Sequence, residues 1–176
     1  MTFTPSIALR FATDTDAAAI NDIYNYYVAT STCTAQLIPD SLESRRAWLA
    51  THPPDQYPVI IATSSMGEVV GWASLSPYSS RGGYAKTVEN SIYVHPDHQR
   101  RGIGKVLGMA LVLEAKRIGH KVIVAGIEAS QAASIALHVK LGFLEMGRLT
   151  GVMEKFGRPL DKAILQKTLG EGPALW

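Results

Sequence analysis

The sequence predicts a mixed fold of the α/β or α+β type, a largely central sheet covered by helices, and three observations carry that expectation. Apolar residues recur at helical spacing in four segments and as short apolar or alternating runs in seven others. Helix-like and strand-like segments are interleaved along the chain, which favours a sheet with helices packed on it. The 176 residues, 47% hydrophobic and 18% charged, suit one domain with one sizeable core.

Residues 7–12, IALRFA, read as a first strand. DTDAAAINDIYNYYV follows with an acidic start and apolar Ala17, Ile20, Ile23, Tyr24 and Tyr27 at helical spacing, and predicts a helix. SLESRRAWLA predicts a second, short helix, with Ser41 as its cap, Glu43 in the first turn, and Leu42, Trp48 and Leu49 facing inward. PVIIAT and VVGWASLS flank a Met66-Gly67 turn and read as an antiparallel pair; beyond the loop PYSSRGGYAK, TVENSIYVH adds a third strand. Residues 104–118 have the helical period, KVIVAGIE reads as a buried strand, and SQAASIALHVKLG as a helix that stops at Gly142. FLEMGRL and DKAILQKTL supply two last strands, and GEGPALW reads as a frayed tail. The predicted order is βααβββαβαββ, without an internal repeat or an interdomain linker.

Charge and composition narrow the function classes. Formal net charge is +2, from 17 Lys plus Arg against 15 Asp plus Glu, so no global field would hold a nucleic acid or an anionic membrane. The longest uncharged apolar run, residues 106–113, is far below the roughly 20 residues that span a bilayer. Cys33 has no second cysteine to pair with, and MTFTPSIALRFATD lacks the basic start and apolar run of a signal peptide, so the expectation is a cytoplasmic protein with a small-molecule partner.

The segment HPDHQRRGIGKVLG concentrates the chemistry. Gly102 and Gly104 stand where a strand hands over to a helix, and missing side chains let main-chain N–H groups converge on one anion. Arg100, Arg101 and Lys105 add full charges to the helix dipole at the same turn. A phosphate fits this arrangement. A Walker loop is excluded because Lys105 is followed by Val106, and a dinucleotide fingerprint because its third glycine would fall on Leu107. His95 and His98 lack the further ligands of a tetrahedral metal site, so no metal is expected. No base stands near Cys33 in sequence to activate it as a nucleophile.

Gln99-Arg100-Arg101-Gly102-Ile103-Gly104 resembles the Q/R-x-x-G-x-G/A signature with which the GCN5-related N-acetyltransferases (GNAT) cradle the pyrophosphate of acetyl-coenzyme A. TVENSIYVHPDHQRRGIG, VIVAGIEASQAASIALHVKLGF and KFGRPLD, with IYN, SLESRRAW and YPVIIA, are similar to the phosphinothricin and methionine sulfoximine acetyltransferase branch, in the right order over about residues 8–168. The resemblance implies the GNAT fold, a central, mixed, mostly antiparallel twisted sheet with helices on both faces, filling residues 1–176 as a single N-acetyltransferase domain. It implies acetyl-coenzyme A as cosubstrate, a small amine as acceptor, direct transfer in a ternary complex, and a homodimer.

Acetyl transfer from a thioester to an amine asks for a neutral amine, a stabilised oxyanion and a proton for the thiolate. Glu89 alternates with Val88 and Asn90 in TVENSIYV and offers a carboxylate in an otherwise apolar setting; by pattern alone it is a base or an edge-strand glutamate, and the resemblance implies the base, acting directly or through water. His138 matches the histidine of this branch where many relatives carry a tyrosine that protonates coenzyme A; the resemblance implies a general acid, and an imidazole could also share in deprotonating the amine. Ile92, Tyr93 and Val94 are expected to pair with pantetheine as an added strand would, with the Val94 N–H meeting the oxyanion. Asn90 and Ser91, beside Glu89, are expected to contact the substrate. Two positions depart from the branch. Gln131 stands where Asn is usual against the cofactor, and Ser79 where Arg is frequent, which leaves Arg81 and Lys86 as the cations able to reach a substrate's distal group. The alternatives are a non-catalytic acyl-coenzyme A binding domain and an acetyltransferase for another small amine or a peptide terminus.

Overall fold

The computed structural model describes residues 7–170; the tail expected to fray, from residue 171 on, lies outside them. Strands β1 (Ala8–Phe11), β2 (Val59–Thr63), β3 (Val69–Pro77), β4 (Thr87–Val94), β5 (Val122–Glu128), β6 (Leu144–Lys155) and β7 (Arg158–Thr168) form one sheet in the order β1-β2-β3-β4-β5-β7-β6. Helices α1 (Ala17–Thr30), α2 (Leu42–Ala50), α3 (Ile103–Ile118) and α4 (Ala132–Lys140) complete the order βααβββαβαββ read from the sequence. All pairings are antiparallel except β4 with β5.

Strand alternation sends successive side chains to two cores. On one face Ile60, Ala62, Ala73, Leu75, Val88 and Ile123 pack against Ile103, Leu107, Leu111 and Ala115 of α3. On the other Val59, Ile61 and Trp72 meet Ala17, Ile20 and Ile23 of α1 and Leu49 of α2. The helix ends follow local chemistry. Ser41 Oγ accepts the Ser44 N–H at 3.0 Å and caps α2. A single 3-10 turn over Asp14–Asp16 precedes α1, and Asp16, gripped by Arg10 at 2.6 and 2.7 Å, accepts the Thr13 N–H. Close approach sets α3 against α4, since a Cβ on Gly108 would overlap Leu141.

The last two strands run longer than their apolar patterns. β6 continues through TGVMEK, and β7 starts three residues before the expected Asp161, joined by a two-residue turn in which Phe156 and Gly157 have φ of 53° and 72°. Positive φ at both turn residues is the geometry that matches strand twist in a tight hairpin. Two register shifts, between Glu145 and Gly147 and between Leu149 and Met153, break the alternation that would have marked the strand.

Candidate active site

The site arises where two strands stop pairing. β4 and β5 are matched at Thr87↔Val122, Val88↔Ile123 and Glu89↔Val124, and from Asn90 onward they diverge. His95 N–H donates to the Val70 carbonyl and Tyr78 N–H to the Thr87 carbonyl, so the odd-numbered residues of β4 turn their main chain to β3. The carbonyl of Asn90 and the main-chain groups of Ile92 and Val94 therefore face the gap. Tyr93, also expected to meet the cofactor, pairs its main chain with Trp72 of β3 and sets its ring among Trp72, Tyr24 and Tyr27, and it lines the cleft as well. Burial pushes its phenol far above the ordinary tyrosine range.

The gap is a cleft of about 670 Å³. Ala125, Gly126 and Ile127 of β5 form one lip and β4 the other, with α3 and α4 contributing the remaining wall. At its mouth lies the glycine turn. Gly102 has φ +81°, and the first helical bonds of α3 run from Lys105 and Val106 to its carbonyl at 3.1 and 3.2 Å, leaving the Ile103 and Gly104 N–H groups ahead of the ladder. Gln99, Arg100, Ile103, Gly104 and Lys105 also line the cleft, as does Lys140 of α4, a cation that carries no signal in the sequence. Arg100 itself has φ 60°, a left-handed conformation rare for a side chain of that size. Arg101 points away and donates to the Asp97 carbonyl at 2.9 Å. A pyrophosphate fits the turn: it offers free N–H groups and a helix dipole, Arg100, Lys105 and Lys140 line the same cleft, and a Cβ on Gly102 would meet no protein atom within 4 Å.

Tyr27 ties the mouth together, donating its hydroxyl to the Val94 carbonyl and accepting from Gln99 Nε2 at 2.6 Å. Its partners lie far along the chain, and no local pattern marks it. Gln131 lines the cleft with its amide nitrogen directed to Thr32 Oγ1, at 3.0 Å, and Glu128. Burial opposes the charge of Glu128, but donors from Ser130 and Thr32 outweigh it and hold the carboxyl below its usual range. Cys33 borders the cleft as a thiol pushed up by burial. Among the described residues no group of three or more His, Cys, Asp and Glu could hold a metal ion, and no helix is long and apolar enough to cross a membrane.

At the inner end stand Asn90 and His138. His138 is 4% exposed, its ring edge-on to Phe143, and burial lowers its pKa so that the imidazole is neutral. Nδ1 lies 2.8 Å from the Ser134 carbonyl, which only accepts, so Nδ1 carries the proton. Nε2 is left with its lone pair. In this tautomer the ring is a proton acceptor at Nε2, which bears on the two roles the sequence leaves open for it.

Glu89 occupies the opposite face. Its side chain alternates away from Asn90, half-buried beside Ser76 of β3, whose Oγ meets Nε2 of the buried His52 at 2.9 Å. Glu89 is absent from the cleft lining, whereas Ser91, on the same face, reaches it. Arg81 is exposed on the loop before β4 and does not line the cleft; Ser79 Oγ accepts its N–H at 3.3 Å.

Residues 20–143 match the Acetyltransferase (GNAT) family. An L-methionine sulfoximine/L-methionine sulfone acetyltransferase of Salmonella typhimurium is 40% identical over 168 residues, covering 96% of this chain and 98% of its own. A phosphinothricin N-acetyltransferase of Streptomyces coelicolor is 36% identical over 170 residues, covering 94% and 98%. The crystal structure of a GNAT superfamily phosphinothricin acetyltransferase from Sinorhizobium meliloti, in complex with acetyl-CoA, superposes with a TM-score of 0.92 at 35% identity, covering 97% of this chain and 92% of that one. With a family match across most of its length and relatives of this identity spanning both chains, the protein belongs to the GNAT family of acetyltransferases.

Proposed function

We propose that this protein is an acetyl-coenzyme A dependent N-acetyltransferase for the amino group of small amino acid analogues, with methionine sulfone, methionine sulfoximine and phosphinothricin as the substrate class. The observation that carries the reading is the parted pair of strands with an anion-binding turn at its mouth and a neutral, buried histidine at its inner end. The relatives named above act on the same class of amine.

The cosubstrate supplies an acetyl thioester. Ile103 and Gly104 N–H, Arg100 and Lys105 would hold its phosphates, and Asn90, Ile92 and Val94 offer it main-chain groups along β4. Val94 N–H, turned into the cleft, is suited to an oxyanion. Glu89 takes the ammonium proton, directly or through water; the second proton, shed by the nitrogen as the C–N bond forms and the C–S bond breaks, passes by way of His138 Nε2, once Asn90 Nδ2–H releases that lone pair, to the departing thiolate. Ser91, on the Glu89 face of β4, contacts the substrate side, whereas Asn90, expected to do so too, lies on the acyl-donor face; Arg81 steadies the substrate's distal group. One N-acetyltransferase domain does this without a metal, in the cytoplasm and as a homodimer. The exposed apolar residues Leu144, Met146, Leu149 and Val152 on the edge strand β6 are consistent with a subunit contact, which light scattering would test.

Thiol release from acetyl-coenzyme A over a panel of amino acid analogues tests the function. With Ser79 in place of a cation, kcat/KM for methionine sulfone should equal or exceed that for phosphinothricin, and Arg81→Ala should lower it. No thiol release with any member of the panel would defeat the assignment; strong preference for phosphinothricin, or indifference to Arg81→Ala, would defeat the substrate reading.

A further inference from the structure

His138 fixes more than its own proton. Because Nδ1–H donates to Ser134, Nε2 can only accept, and the group 2.9 Å from it must be the NH2 end of the Asn90 amide. That sets the orientation of the whole amide. Asn90 Oδ1 is consequently turned away from His138, and it is buried without a hydrogen-bond partner. A buried carbonyl oxygen left without a donor is costly. Asn90 lines the cleft one residue beyond the last β4–β5 pair, on the face it shares with Ile92 and Val94.

Two kinds of N–H donor could meet it there: a secondary amide of the acyl donor or the amine of the acceptor. Position decides between them. The acidic group that takes the amine's proton, Glu89, projects from the opposite face of β4, so the amine belongs to that side. The acyl donor's phosphates belong at the Gly102 turn, and its chain follows the main-chain groups of Val94, Ile92 and Asn90 inward. The Val94 carbonyl already accepts from Tyr27, which removes one acceptor from that path.

We propose that Asn90 is a positioning residue for the transfer: its Nδ2–H holds His138 as the Nδ1–H tautomer, and its Oδ1 accepts an N–H from the amide of acetyl-coenzyme A nearest the thioester. This rests on the reading of the cleft as the acyl-donor site. The side chain thus registers the thioester against the histidine with one rigid planar group.

Long-range nitrogen-15 spectra of the histidines in the free wild-type protein, with His138→Gln for assignment, should show His138 protonated at Nδ1 and bare at Nε2; an Nε2–H ring would overturn the first half. Calorimetry of Asn90→Leu should show acetyl-coenzyme A binding weakened by roughly three- to tenfold, the loss of one neutral hydrogen bond, while KM for methionine sulfone stays the same. Asn90→Asp keeps an acceptor and should bind acetyl-coenzyme A more tightly than Asn90→Leu does, with His138 now protonated on both nitrogens. Unchanged cofactor affinity in Asn90→Leu overturns the second half, as does a rise in the amine KM alone, which would give Oδ1 to the substrate. Failure of the wild type itself to bind acetyl-coenzyme A would defeat the function proposed above and the Oδ1 assignment with it, leaving the tautomer result to stand or fall separately.

Discussion

Gly102 shows how a single position can be required by backbone alone. Its φ of +81° lies in the left-handed region, yet a Cβ there meets no protein atom, so substitution is costly in conformation and not in space. Gly102→Ala should lower stability by about 1–2 kcal/mol, whereas Gly102→Glu should also abolish acetyl-coenzyme A binding by placing a carboxylate in an anion site; calorimetry on the folded variant checks this. Glu89→Gln should reduce turnover by roughly 100-fold or more with cofactor affinity intact, the signature of a lost proton acceptor; wild-type turnover would sink the base. The turn was legible because glycines and cations carry their chemistry in their type. Glu89 and His138 became candidates through resemblance to relatives, since a glutamate in a strand or a histidine in a helix is ordinary. The role of the Asn90 amide was not legible, because it depends on a partner 48 residues away, and that of Tyr27 depends on one 67 residues away.

Elements were read correctly wherever one period ran unbroken. All four helices and seven strands stand in the expected order, and the Ser41 cap forms as its residue type implies. The hairpin of β6 and β7 was underread because Gly147 and Gly151 accompany register shifts, which scramble a period of two. Helix positions have their own tolerance limits. Gly108 lies under Leu141 at the crossing of α3 and α4, so Gly108→Val forces the helices apart and should cost about 1–3 kcal/mol. Because α4 carries His138, turnover should fall further than acetyl-coenzyme A affinity; urea unfolding and steady-state kinetics on one preparation separate the two effects.

The whole molecule inherits a pH dependence from its buried histidines. Burial lowers the pKa of both His52 and His138, while the unfolded chain titrates near 6.5. Between the folded values and about 6.5 the unfolded state binds more protons, so stability rises with pH there. Their contribution is complete above about 6.5 and is lost as pH falls through the folded values. Asp16, held low by Arg10, and Glu128 add a second loss below about 4, where the unfolded carboxylates take up protons. Melting temperature against pH should therefore descend in two stages on acidification, and His52→Gln should flatten the upper one.

Parallel strands that share three paired positions and then separate leave a sheet that is incomplete at its centre. A molecule that pairs along the open lips makes the sheet continuous, and heat must then remove it before the sheet can come apart. At a hundredfold excess over Kd, such a guest raises native stability by about 2.7 kcal/mol. For a chain of this length that corresponds to a melting point higher by roughly 5–11 °C. Deuterium uptake locates the change: the amides of Ile92 and Val94 should exchange with solvent in the free protein and become protected on addition of acetyl-coenzyme A, while those of Ser91 and Tyr93, already bonded to β3, should exchange slowly throughout.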